Sequence, residues 1–192
     1  MKRILTLLMM ILSLFVMTGC MGDKQTSAPT QPSIFTDQTI ITKAMNELRE
    51  LPELKGKDLK LFQDVTIADH EGIGNVIDLD LLKPDTTDKV DHYTYIDGKW
   101  TGPEPVQLTG DGNMDDNIMP INSIDFSKIT QIYKIADEKA KSIEQGKVAK
   151  DLIYEFDIDA RMYRAHIHIE GACEKYTGIF DAQGNLIMMR KE

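Results

Sequence analysis

The sequence predicts an α+β protein in two similar halves, each a helix followed by an antiparallel β-meander, with both helices packed on one sheet face. Two stretches, near residues 37–51 and 125–143, carry apolar side chains at helical spacing, and each precedes several short runs in which apolar and polar residues alternate. Between those runs stand glycine, proline and aspartate turns, too closely spaced for the crossovers that parallel strands require.

Thr36 or Asp37 can cap a first helix whose stripe is Ile40, Ile41, Ala44, Met45, Leu48 and Leu51, and Pro52 closes it. Alternation then marks Leu59 to Ile67, and Ile77 to Leu81 with Asp78 and Asp80 between the apolar positions. "EGIGN" at 71–75 lies between these two runs and reads as a hairpin turn. Its glycines lack phosphate-loop spacing, and no helix follows. Val90 to Ile96 is a third strand, closed by Asp97-Gly98. Trp100 to Leu108 is a fourth, and Pro103 and Pro105 confine it to an edge.

After a connector comes the second helix, capped by Ser123 or Asp125, with Phe126, Ile129, Ile132, Tyr133, Ala136, Ala140 and Ile143 on one face and Gly146 at its end. Strands are expected at 151–158, 162–170, 174–181 and 185–190, the last two joined by Asp181-Ala182-Gln183-Gly184.

Ahead of all this, Lys2 and Arg3 precede an apolar run from Ile4 to Met17, broken only by Thr6 and Ser13. That run is too short for a membrane span of ~20 residues and has the form of a secretory signal. Met17-Thr18-Gly19-Cys20 resembles the lipobox of bacterial lipoproteins, with Met17 where leucine is more usual. The resemblance implies that Cys20 carries a diacylglyceryl group and becomes the first residue of the mature chain. By resemblance to Gram-negative sorting, Met21 rather than aspartate after the cysteine implies the outer membrane in a cell that has one. Gly22 to Ser33 is polar and holds two prolines, with little to bury, so it is expected to be a flexible tether.

The expected organisation is a signal peptide over 1–19, lipidated cysteine and tether over 20–33, a first half over 34–110, a connector over 111–122 and a second half over 123–192. Cleavage before Cys20 leaves 20 basic against 31 acidic side chains, deepening the net charge from −9 to −11. Such a surface argues against nucleic acid as a partner. With Cys20 committed to lipid, Cys173 has no intramolecular partner; it reads as a small buried residue in the turn Gly171-Ala172-Cys173.

Three constellations were weighed for chemistry. In "DGNMDDNIMPIN", Asp111, Asn113, Asp115 and Asn117 occupy positions 1, 3, 5 and 7 of a calcium loop. Position 6 is Asp116 rather than glycine and position 12 is Asn122 rather than glutamate, so the stretch reads as a solvated connector, with loose calcium binding as the alternative. The serines give no nucleophile elbow, and there is no H-E-x-x-H or C-x-x-C.

"RAHIHIEG" is the best candidate. Alternation puts Tyr163, Ala165, Ile167 and Ile169 inward and Arg164, His166, His168 and Glu170 outward. On the preceding strand, Leu152, Tyr154, Phe156 and Ile158 are expected inward, with Glu155 and Asp157 outward. A tight turn at Asp159 to Met162 is expected to set Glu155 opposite His166 and Asp157 opposite Arg164. His166, His168 and Glu155 are thus candidate metal ligands, although zinc needs a further ligand from elsewhere. The simpler reading is a solvated face stitched by cross-strand ion pairs, its histidines titrating near ~6.5 and nudged upward by the acids.

The order of elements, with closing turns "YIDGKW" and "FDAQGNL", resembles the helix-plus-meander repeats of the PepSY-like and β-lactamase-inhibitor-like secreted proteins. The first half departs from that pattern, with glycine directly after Asp97 and two prolines in its last strand. The resemblance implies a non-catalytic envelope module that binds or restrains another protein, and no inhibitory residue carries over. The expected function is a lipid-anchored cell-envelope accessory protein binding a protein or cell-wall component, without a cofactor. The alternative is a cation-binding or metal-dependent hydrolytic protein using the His166/His168 face.

Overall fold

The computed structural model describes residues 32–96, 98–110 and 112–192, so the signal sequence, Cys20 and most of the expected tether lie outside the described residues. The chain folds as a nine-stranded, antiparallel sheet with two α-helices on one face. Pro32 and Ser33, placed in the tether by the sequence, are held in the fold. Asn75, buried in the sheet, accepts from the Ile34 N–H at 2.7 Å and donates to the Pro32 carbonyl at 2.9 Å.

Helix α1 spans Gln38–Arg49, and Asp37 caps it by accepting from the Thr39 N–H at 2.9 Å. Its buried stripe is Ile41, Ala44, Met45 and Leu48, as the 3.6-residue period requires. Strands β1 (Lys60–His70), β2 (Gly74–Leu82), β3 (Val90–Ile96) and β4 (Lys99–Pro105) follow as a meander. Trp100 on β4 reaches under α1 and donates from Nε1 to the Ala44 carbonyl at 2.7 Å, which ties the edge strand to the helix.

The second helix begins later than its periodicity suggested. Asp125 caps a short 3-10 turn, Phe126–Lys128, before α2 runs from Ile129 to Ala140. The meander of β6 (Lys147–Asp157), β7 (Met162–Glu170), β8 (Lys175–Asp181) and β9 (Leu186–Lys191) then completes the chain.

The strand order is β4-β3-β2-β1-β6-β7-β8-β9, so the first strand of each meander meets the other at the centre of the sheet. There Val65 faces Tyr154 and Ile67 faces Leu152. The connector is more structured than expected. Its residues Ile118–Pro120 form β5, which pairs with the start of β1 before β6 takes over. The changeover is a bulge with Gln63 at φ 53°, where Asp64 accepts from the Phe156 N–H and Tyr163 donates to the Gln63 carbonyl.

One core cluster runs beneath both helices and includes Leu61, Ile67, Leu79, Tyr93, Leu152 and Ile167. Fully burying each such side chain stabilises the fold by roughly 2 kcal/mol. Two expectations of burial fail. Cys173 is exposed, because the four-residue reversal between β7 and β8 carries it out past the sheet end. Ile158 is exposed because β6 stops at Asp157 and the chain turns away before another inward position is reached. Among the described residues no helix is long and apolar enough to cross a membrane.

Candidate functional site on the open sheet face

The helices cover one sheet face, and strand alternation sends the chemically richer side chains to the other. On β7 these are Arg164, His166 and His168, as the period of two dictates. The β6–β7 register differs from the expected one by one step of the alternation: Glu155 lies opposite Arg164, and His166 opposite Ile153. A loop of residues 158–161 separates the strands, and Asp157 secures it by accepting from the Ala160 N–H at 2.9 Å. The anticipated pairs form diagonally instead. Glu155 Oε2 lies 3.5 Å from His166 Nε2, and Arg164 Nη1 donates to Asp157 Oδ2 at 2.6 Å.

His166 and His168 turn to different partners. His168 Nδ1 lies 3.2 Å from the Thr177 hydroxyl and 3.3 Å from Glu192 Oε1. His166 stands between Ile153 on one neighbouring strand and Ile179 on the other, with Met188 beyond. That desolvation lowers its pKa below 6.5, overriding the upward pull of Glu155. The expected upward shift is therefore reversed at His166. Its ring is neutral at pH 7 and able to donate a lone pair, but only Glu155 accompanies it. Among the described residues no three His, Cys, Asp or Glu side chains converge as metal ligands would.

A second cluster on this face escaped the sequence reading. His92 Nδ1 lies 2.6 Å from Asp80 Oδ1, and its Nε2 lies 3.0 Å from Thr94 Oγ1, which donates to Asp78 Oδ1 at 2.7 Å. Asp78, Asp80, His92 and Thr94 alternate outward on β2 and β3, and Asp80 faces His92 across the ladder. The outward alternation was visible in "IDLDL" and "VDHYTYI", but the long β2–β3 loop concealed the register. Acid, imidazole and hydroxyl stand in the order of a nucleophilic relay. The hydroxyl, however, gives its only proton to Asp78, so His92 cannot take it. This cluster locks strands together.

The calcium-loop candidates serve the fold in a similar way. Asp111 lies outside the described residues. Asn113 accepts from the Asp115 N–H, and Asn117 donates to the Asn113 carbonyl and accepts from Gln63. Arg161 donates to the Asp115 carbonyl and pairs with Asp116, so these side chains hold the connector against the β1 bulge.

Towards the β9 edge the open face carries a few apolar side chains. Half-buried Ile153, buried Ile179 and exposed Met188 lie in register across β6, β8 and β9, interrupted by His166 on β7 and bordered by Arg164, Glu155 and Arg190. Met188 is 49% exposed.

No protein-family model matches the chain, and no curated protein sequence matches it. Among solved structures, the fold is similar to the crystal structure of a candidate lipoprotein from Clostridium difficile 630, with a TM-score of 0.53 and 16% identity over 79% of this chain and 91% of that one. At that identity the likeness is one of fold.

Proposed function

We propose that this protein is a lipid-anchored accessory protein of the cell envelope that binds a protein or cell-wall component and performs no catalysis. The observation that carries this reading is the run from Lys2 to Cys20, a basic start and apolar stretch ending in Thr-Gly-Cys. The structural neighbour described as a candidate lipoprotein supports the same reading. In a cell with two membranes, Met21 favours the outer one. The recurrence of helix then four-strand meander supports a duplicated unit, the arrangement implied by the PepSY-like resemblance.

Binding is assigned to the open face because exposed Met188 and half-buried Ile153 lie there within a charged border, an apolar centre with a polar rim. The experiment is capture from detergent-solubilised envelope by the full-length chain, compared with a Met188→Asp/Arg190→Glu variant. A component retained by the wild type and lost by the variant is the expected result. Equal retention by both, or none by either, contradicts the assignment.

A further inference from the structure

The sheet ends in two edges that are built differently. At one end β4 carries Pro103 and Pro105, and a proline has no N–H to give a further strand. At the other end β9 has no proline, and three consecutive apolar side chains, Leu186, Ile187 and Met188, are 43%, 49% and 49% exposed. They do not share one face: Met188 stands beside Ile179 on the open face, and Leu186 beside buried Phe180 on the helix side. A ligand lying on either face would cover part of this set, whereas a strand added to the edge covers both sides at once.

The backbone of β9 is available for such a strand. The Glu192 N–H bonds to the Lys175 carbonyl, so by alternation Met189 and Lys191 direct their N–H and C=O groups away from β8. No strand lies beyond them among the described residues.

The sequence of β9 complements itself. In an antiparallel pair with a two-fold axis at Met188, that residue faces Met188 of the second copy, and Ile187 faces Met189. From Ala182 to Lys191 the chain holds two bases and no acid. This register separates the bases of the two copies and brings each Arg190 to the other copy's Leu186 end. There Asp181, on the open face like Arg190, holds its carboxylate at Asn185.

We propose that β9 pairs with β9 of a second copy of this chain, antiparallel about a two-fold axis at Met188, joining the two sheets edge to edge. The pairing uses the strand edge rather than the sheet face, so it stands whether or not that face binds a partner.

The test is sedimentation equilibrium of the full-length chain in density-matched detergent, over about a hundred-fold range of concentration. One strand from each copy makes a small interface, under about 1,200 Å² in total, so a dimer with a micromolar dissociation constant is expected. Met188→Lys, which sets two like charges opposite each other, is expected to remain monomeric throughout. Arg190→Gln is expected to raise the dissociation constant about two- to five-fold, the worth of an exposed ion pair, and Thr101→Lys on the β4 edge to change nothing. Circular dichroism and the urea midpoint show whether each variant is folded. Cys173→Ser/Met188→Cys is expected to form an intermolecular disulfide on mild oxidation, because directly opposed Cα atoms of such a pair lie about 4.5 Å apart, and Cys173→Ser/Thr101→Cys is not. A monomer at every concentration, a dimer that survives in folded Met188→Lys, or equal cross-linking at the two cysteine positions overturns the proposal.

Discussion

Removing Asn75 should detach the start of the folded body from the sheet. This residue is 7% exposed and joins β2 to the segment that enters α1, through the Ile34 N–H at 2.7 Å and the Pro32 carbonyl at 2.9 Å. In Asn75→Ala the Ile34 N–H, beside a fully buried side chain, loses its acceptor. An orphaned buried donor costs about 1–3 kcal/mol, and the weaker bond to Pro32 adds about 0.5–1 kcal/mol, so a loss of about 1.5–4 kcal/mol is expected. With a urea slope of about 2 kcal/mol/M, the midpoint should fall by about 0.75–2 M. Asn75→Asp keeps the acceptor for Ile34 but sets a buried carboxylate oxygen against the Pro32 carbonyl, so its loss should be at least as large. Equilibrium urea unfolding of the three proteins, followed by tryptophan fluorescence from Trp100, measures this directly. A loss below about 0.5 kcal/mol in Asn75→Ala, or no loss in Asn75→Asp, would refute the reasoning.

Three further outcomes are expected. Because burial lowers the pKa of His166 below 6.5 in the fold, the unfolded chain takes up the proton first as pH falls. The stability this histidine contributes is therefore present above about pH 6.5 and lost below it, and His166→Gln should flatten the slope of stability between pH 7 and the folded-state value; an unchanged slope contradicts the burial argument. The Tyr154 hydroxyl is buried with no hydrogen-bond partner among the described residues, so Tyr154→Phe should be neutral or stabilising by up to about 1 kcal/mol in thermal unfolding; a loss of more than about 1 kcal/mol would mean the hydroxyl has a partner. Titration of the full-length chain with Zn²⁺ should give at most weak binding, since His166 has only Glu155 beside it; tight one-to-one binding abolished by either His166→Ala or His168→Ala would favour the metal-dependent reading instead.

Much of the fold was legible because periodicity is local. The stripe Ile41, Ala44, Met45 and Leu48, and the alternation Tyr163, Ala165, Ile167 and Ile169, need no partner to be recognised, and both are buried as written. Register was harder, since it depends on where a loop lets the strands meet. One step at the 158–161 loop moved Glu155 from opposite His166 to opposite Arg164, and the contact with His166 survived only because glutamate is long enough to cross diagonally. The meeting of β1 with β6 was not legible at all, because Val65 and Tyr154 are far apart in sequence and nothing local marks them as partners. The exposure of Cys173 shows the converse error: a small thiol between turn residues follows the course of the turn, and its own tendency to be buried does not decide.

The central claim, an envelope protein held by lipid at Cys20, is tested most directly by intact mass spectrometry of full-length protein extracted from membranes, beside Cys20→Ser. The account predicts a mature wild-type chain beginning at Cys20, heavier than its sequence by two or more acyl chains, because one chain alone holds a protein only marginally. Cys20→Ser should carry no acyl mass and should lose this mature form. A wild-type chain without added mass, or beginning at any residue other than Cys20, would contradict it.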